Sequence, residues 1–528
     1  MKKLLLFAVI AALLLSCAVP SGISAAETVT EFSERLVQPS PEKLKFKQEY
    51  EIACSEVGEG LIVVRKNGLC GYADLDGNIV IPPQFENAEP FKNGVAVVNN
   101  YAGDDGHPSL IGRDGSKIAD LDCTVAKPCG SMLSISTYNW DNIPSVLAFG
   151  LAAPDGTVVV PPQYDSLFPL TDTLFRVQSA DSLWGVIDAS GKVILPPEYE
   201  SVSYNETVGL LHAEKSFPDP DATPAVPPED ELQAFWQDWL DTWENTKAGF
   251  LDLDGNPVIP LEYDTVVFGE EGPAIAVKDG KYGALDRNGN TVIPFEYEWL
   301  GCRSGGLYAY MENGLCGYMD ENRVTVIPPK YENARVFSKD GLARVRKDGL
   351  WGFIDREGNE VIPCEWPESV AFSHGLAFAG DGTKTVCFDT SGKILFELPP
   401  VQIVETSENG LTEYYQIHTD ADGQRIWEYG LVDRAGNEIL PLAYHDITLW
   451  QNGWVSMSVR ELPDAAEDGW VSMSIGDFPD FSEGLVSPDG QLVFEPAYLY
   501  SPHFSDGYCI LQGRGMWYII DEEGNLVL

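Results

Sequence analysis

One motif recurs along most of the chain, and it limits the fold more than any other feature. A clean copy runs from Gly341 to Pro363. It contains Trp351-Gly352-Phe353-Ile354-Asp355, a turn at Arg356-Glu357-Gly358, then Asn359-Glu360-Val361-Ile362-Pro363. Other copies centre on Gly71-Tyr72, Trp184-Gly185, Tyr282-Gly283, Cys316-Gly317-Tyr318, Tyr429-Gly430 and Trp517-Tyr518. Weaker ones centre on Leu110-Ile111, Phe149-Gly150, Gly249-Phe250, Val386-Cys387 and Gly484-Leu485. That is about twelve units, most commonly stepped by about 34 or 35 residues. Such a chain must build one small supersecondary unit many times over and bury each copy against its neighbours.

Each piece of the motif has a physical reason. Trp351, Phe353 and Asp355 alternate with Gly352 and Ile354, the period of a strand. Asp355 to Gly358 fits a type I turn: Asp bonds its own backbone, and Gly takes the left-handed conformation. The same Asp-x-x-Gly stands at 74–77, 188–191, 252–255, 286–289, 389–392, 433–436 and 521–524, while Arg323 replaces the glycine in one unit. Val361-Ile362 begins a return strand, which Pro363 is expected to stop because it lacks a donor. Three residues after the proline comes an aromatic (Phe85, Tyr164, Tyr199, Tyr263, Tyr297, Tyr331, Trp366, Tyr444), read as a packing knob between units. Gly352 and its equivalents are read as leaving room for such a ring.

The expected fold is therefore all-β: a tandem array of about twelve antiparallel three-stranded units. Open, solenoid-like stacking is preferred, because twelve units exceed the usual 4 to 8 blades of a ring. One or two β-propellers are the alternative.

The net charge of −47 argues against nucleic-acid binding and against docking on anionic lipid by a basic patch. With 44% hydrophobic residues there is material for a packed core. Residues 1–16 read as a signal peptide: Met1-Lys2-Lys3, the apolar run Leu4 to Leu15, then Ser16. Leu14-Leu15-Ser16-Cys17 resembles a bacterial lipobox, in which Cys17 would carry the lipid. Cleavage after Ala26 is the alternative. Residues 17–50 read as a lipidated N-terminus and spacer, and 51–528 as the array.

Two insertions interrupt it. Residues from about 218 to 247 begin Pro- and Asp-rich and continue with helical spacing of apolar residues, among them Trp236, Trp239 and Trp243. This is a helix packed on the array or, since Trp is favoured in interface hot spots, a partner-binding helix. The second, about 453–480, is a local duplication: Gly453-Trp454-Val455-Ser456-Met457-Ser458 recurs at 469–474.

Taken together, Trp351 to Asp355 followed by Gly358 to Pro363 resembles the bacterial WG repeat, also called KWG. A dozen copies in register carry the resemblance over roughly residues 55–528, with Cys70 and Cys316 in the tryptophan position of two copies. It implies exported or surface proteins with β-rich repeats and no assigned catalytic residues.

Four disulfides are expected: Cys54–Cys70, Cys302–Cys316, Cys123–Cys129 and Cys364–Cys387, with Cys509 free. Export permits them, and each of the first two pairs is expected to straddle a hairpin. Reduced buried thiols are the alternative. His107, His212, His374, His418, His445 and His503 are scattered and form no metal-binding pattern. Asp74–Asn78 and Asp252–Asn256 suggest calcium loops but lack the glycine an EF-hand needs at its sixth place. No metal or cofactor is expected, and no catalytic group stands out.

The expected function is that of a non-enzymatic, surface-tethered binding or scaffold protein. Its expected partner is macromolecular, a protein or polysaccharide at the cell envelope, with membrane contact only through the N-terminal lipid. The alternatives are a closed-ring exported enzyme or small-ligand binder, and an envelope spacer without a ligand.

Overall fold

The computed structural model describes residues 41–99, 107–139, 146–217, 246–419, 423, 425–450, 454–460, 481–487, 490, 492–498, 504–513, 516–522, 525, 527 and 528. The signal peptide, Cys17, the start of the spacer and Trp236, Trp239 and Trp243 lie outside them. So does the second copy of the duplicated segment. Of the proposed helical insertion, Thr246 and Lys247 are described, and they already belong to a strand, Thr246–Leu251.

Each unit is an antiparallel meander; units 1 to 11 have four strands rather than three, and unit 12 has three among the described residues. In unit 8 these are Asn333–Ala334, Ala343–Lys347, Leu350–Ile354 and Glu360–Trp366. The strand missing from the sequence-based count is the first, a short segment just after the preceding unit's aromatic. The twelve units occupy residues 51–85, 87–120, 125–164, 166–199, 201–263, 265–297, 299–331, 333–366, 368–398, 402–444, 446–498 and 504–521. Units 11 and 12 are joined into one sheet where Tyr498 pairs with Gly513. In unit 11 the first copy of the duplicated segment is structural: Trp454 and Val455 are fully buried.

The turns form as expected. In unit 1, Asp74 Oδ1 accepts bonds from the backbone N of Asp76 (3.0 Å) and Asn78 (2.8 Å), and Gly77 has φ +86°. Asn78 Nδ2 occupies the second carboxylate oxygen. These contacts spend the Asp on its own turn.

The proline does not end the return strand. Glu360–Trp366 runs straight through Pro363, and the register against Leu350–Ile354 shifts between Trp351 and Phe353. The proline sits in a bulge, where no ladder bond is asked of it. The bulge also explains Gly352. A Cβ there would lie 2.6 Å from the Ile362 carbonyl and 2.7 Å from Cys364 N. The glycine thus makes room for the bulged backbone, not for a ring.

Past the bulge, the aromatic lands opposite the tryptophan position of its own unit: Trp366 faces Trp351, Tyr199 faces Trp184, Phe85 faces Cys70 and Tyr331 faces Cys316. The two positions compensate in volume. Opposite Cys70, Ala248 and Cys316, the aromatics Phe85, Tyr263 and Tyr331 are buried. Opposite Phe149, Trp184, Tyr282, Trp351 and Tyr429, the facing rings are only half-buried.

The core lies in the seams. Most hydrophobic clusters combine residues from the facing sheets of two successive units. Tyr72, Ile81 and Phe85 pack with Ala88, Phe91 and Ala96, and Tyr318, Ile327 and Tyr331 with Ala334, Phe337 and Ala343. A ring pair recurs there: Tyr72–Phe91, Phe250–Phe268, Tyr318–Phe337 and Phe353–Phe372, with centroids 4.7 to 5.0 Å apart.

The ends of the array meet. Ile52, Val57, Ile62 and Val64 of unit 1 share a core with Ile510, Trp517, Ile519 and Leu528. Ser505 Oγ donates to Val57 O (2.9 Å), and Gly60 N donates to Asp506 Oδ2 (2.9 Å). The helix α1, Pro41–Glu49, lies at this joint. Its Phe46 is in the shared core, Lys43 Nζ donates to Val527 O (2.6 Å), and Trp517 Nε1 donates to Tyr50 O (3.3 Å). An open stack would leave these faces to water. The array closes on itself, with twelve units and twelve seams, as in the ring alternative. The last part of the expected spacer is thus part of the closure.

Candidate binding cleft

The frame is repeated, but one position in it changes chemistry from unit to unit. It lies on the second strand, opposite the residue after the repeat glycine. The occupant is Val63 in unit 1, Ser134 in unit 3, Arg176 in unit 4, His212 in unit 5, Ala309 in unit 7, Arg344 in unit 8 and Glu413 in unit 10. Its side chain faces the next unit across the seam. Arg176 lies over Trp184 at 4.2 Å and donates to Val202 O of unit 5 (3.2 Å). Arg344 lies over Trp351 at 4.7 Å and donates through Nη1 to Ser369 O of unit 9. His212 stacks on Phe250 at 5.0 Å, and burial pulls its pKa down. Glu413 is 3% exposed, and burial, then Glu405 and Asp446, push its pKa up to about 8.

Unit 9 departs from the motif at both ring positions, and a cleft opens there. Its tryptophan position holds Thr385, and the facing aromatic position holds Leu398. Neither ring is present to fill the seam. Thr385 Oγ1 instead donates to Val401 O (3.0 Å) and accepts from Val401 N (3.3 Å), pinning the link into unit 10. What remains is a cleft of about 290 Å³. Unit 8 lines it with Arg344 and Trp351, unit 9 with Glu368 and Phe378, and unit 10 with Gln402 and Ile403. Gln402 Nε2 donates to Glu368 Oε2 at 3.3 Å, a long bond between two exposed side chains. Ser369 Oγ is buried and has no hydrogen-bond partner. Guanidinium, carboxylate and amide beside an indole give the cleft hydrogen-bond donors and acceptors next to an apolar ring.

Of these residues the sequence points to Trp351 alone, as part of the repeat and not as a site residue. The one available signal was the weak copy at Val386-Cys387, where the tryptophan-glycine pair is Thr385-Val386.

The expected disulfides do not form. All nine described cysteines are free thiols. The additional strand of each unit is the reason. Cys54 lies on the first strand of unit 1 and Cys70 on the third, with Leu61–Lys66 between them. Two strand spacings are roughly 9.5 Å, beyond the reach of a disulfide. Tyr308–Glu312 separates Cys302 from Cys316 in the same way. Cys123 and Cys129 belong to different seams, 2/3 and 3/4. Cys364 packs in seam 7/8 and Cys387 in seam 9/10. Burial raises the Cys123, Cys129 and Cys387 thiols to about 11, 11 and 12, so they are poor nucleophiles.

Among the described residues, no three His, Cys, Asp or Glu side chains are grouped to hold a metal ion. The histidines are dispersed: His107 Nδ1 contacts Cys123 O (2.9 Å), His374 Nδ1 contacts Thr406 O (3.0 Å), and His418 sits 3.4 Å from Glu428. Among the described residues, no helix is long and apolar enough to cross a membrane.

No curated protein matches the sequence. Three solved structures illustrate the structural likenesses. A eukaryotic initiation factor is 10% identical, with 69% of this chain and 95% of that one covered, at a TM-score of 0.39. The extracellular domain of the two-component system BT3049 from B. thetaiotaomicron is 13% identical, with 90% and 68% covered, at 0.24. The WD40 β-propeller domain of Doa1 is 10% identical, with 52% and 90% covered, at 0.22. At such TM-scores none carries an argument about this chain. The sequence family described as WG containing repeat matches at residues 71–101, 149–180, 184–206, 249–282, 282–316, 317–351, 351–380 and 429–459. Those eight stretches begin at or near the repeat glycines packed against the bulges, and the chain belongs to the WG-containing repeat family.

Proposed function

We propose that this chain is an exported, non-enzymatic ring that binds or scaffolds a macromolecular partner, protein or polysaccharide, at the cell envelope. Its membrane contact is a lipid on Cys17. The cleft of unit 9 carries this reading. A frame repeated twelve times is interrupted where two rings are missing, and polar side chains from three units converge on the gap. The basic, apolar and lipobox-like start of the chain supports export. The charge of −47 keeps such a ring soluble and away from polyanions.

A second reading, a small-ligand binder, is favoured by the closed ring together with the cleft volume of about 290 Å³. That is near the lower end for small-molecule sites.

The test uses the full-length chain expressed in a bacterium. Wild type is expected in the membrane fraction, and Cys17→Ser is expected to be released or retained as uncleaved precursor. Purified chain is then cosedimented with insoluble envelope polysaccharide and with isolated envelope protein. Saturable binding to either supports the proposal. Its absence from both, or turnover of the polysaccharide, would sink it.

A further inference from the structure

We propose that the unit 9 cleft is a subsite for one neutral sugar residue of a glycan. This deepens the binding reading above and rests on it, but it commits to a place and a chemistry.

The argument starts from volume. Where the tryptophan position is small elsewhere, as at Cys70, Ala248 and Cys316, the facing aromatic swings in and is buried. In unit 9 the facing residue is Leu398, so nothing compensates for Thr385. The hole between units 8 and 10 is a consequence of both substitutions together. Pro399-Pro400 then carries the chain to Val401, which Thr385 holds by two hydrogen bonds. The cleft wall is thereby fixed rather than free to collapse.

Chemistry narrows the occupant. A sugar ring offers hydroxyls in a row, each both donor and acceptor, and an apolar face of C–H groups. Glu368 is an acceptor, Gln402 is donor and acceptor, and Arg344 is a donor. All three are planar groups lining one cleft, beside the half-buried Trp351 and Ile403. The Glu368–Gln402 bond of 3.3 Å is long, so hydroxyls can replace it at little cost. An anionic ligand would meet the Glu368 carboxylate and the field of a protein with 81 Asp and Glu against 34 Lys and Arg. A cationic side chain would meet Arg344. The neutral polyol is the class that suits all three groups.

The experiment is saturation-transfer NMR on the full chain with D-glucose, D-galactose, D-mannose and N-acetyl-D-glucosamine. D-glucuronate and arginine methyl ester serve as charged controls. At least one neutral sugar is expected to bind at millimolar concentration. Glu368→Ala is expected to weaken it by about tenfold or more. Thr385→Trp, which returns the missing ring, is expected to abolish it. Glu368 is exposed, so its variant reports even where Thr385→Trp does not fold. Absence of transfer from every neutral sugar would overturn the inference. So would a signal that survives both variants, or binding of a charged control alone. Polysaccharide cosedimentation that persists in both variants would remove this subsite while leaving the binding function standing.

Discussion

The seams after units 1 and 7 and those after units 4 and 8 solve the same problem with different atoms. In units 1 and 7 the tryptophan position is Cys70 or Cys316, and the facing ring is buried. The residue after the glycine is a tyrosine whose hydroxyl donates across the seam, Tyr72 to Glu89 O (2.8 Å) and Tyr318 to Arg335 O (2.7 Å). In units 4 and 8 the tryptophan is present, and the donor is an arginine laid over it, Arg176 or Arg344. Each seam must fill the space beside the bulge and satisfy a carbonyl on, or just after, the next unit's first strand. A hydroxyl does so inside a closed core. A guanidinium does so with a half-exposed indole, and leaves a polar edge that can be recruited for recognition. Unit 9 holds no ring at either facing position, Thr385 or Leu398, and the cleft lies there.

The largest expected effect tests what both seam types share. Gly352→Ala drives a methyl into the bulged backbone and is expected to cost about 3 kcal/mol, read from denaturant unfolding. A loss under about 1 kcal/mol would show that the bulge relaxes and does not define the unit.

Next is the unit that puts the opposite charge in the arginine position. Glu413 has a native pKa of about 8 against an ordinary value near 4.5. The folded state then holds a proton that the unfolded chain has lost, so stability falls as pH rises from about 5 to about 8. Glu413→Gln should remove that slope, with a gain of about 2 kcal/mol at pH 9 that vanishes near pH 5, allowing for partial solvent screening. Thermal unfolding of the two proteins across pH gives the difference directly. Parallel curves would mean the carboxylate is solvated.

A matched pair in unit 7 sharpens the tyrosine solution. Tyr318→Phe loses a bond and orphans Arg335 O, an expected cost of about 1 kcal/mol. Tyr331 is fully buried, but its hydroxyl has no partner. Tyr331→Phe is expected to be neutral or to stabilise by about 1 kcal/mol. Equal costs for the two would contradict the assignment.

The smallest effect concerns the one turn without its glycine. Arg323 sits at φ +64°, where its counterparts are glycines. Arg323→Gly should stabilise by about 0.5 kcal/mol, less the weak ion pair with Glu296 at 3.8 Å. A midpoint shift downward would show that the ion pair outweighs the strain.

Much of the repeat was legible in residues that act on their own neighbours. The Asp-x-x-Gly turns, the strand alternation and the spacing of the aromatics need only local geometry, and they formed where expected. Pro363 misled because the absence of a donor was taken for the end of a strand, when a bulge tolerates it. The cysteines misled because Cys54 and Cys70 were counted across one hairpin instead of two. The cleft was illegible for a related reason: Thr385 and Leu398 look unremarkable apart, and their effect appears only once they face each other.

The sequence by itself determined the repeat, its number and its turns, though not the first strand of each unit, because hydrogen bonds and backbone sterics within a few dozen residues suffice for these. Tertiary structure alone decided the remainder. Closure depended on whether the free face of unit 1, with Phe46 of α1, matches the apolar face presented by Ile510, Trp517 and Ile519. That match is between residues more than four hundred positions apart. Burial of apolar surface is non-directional, so nothing in either segment declares its partner until the intervening units have set the path between them.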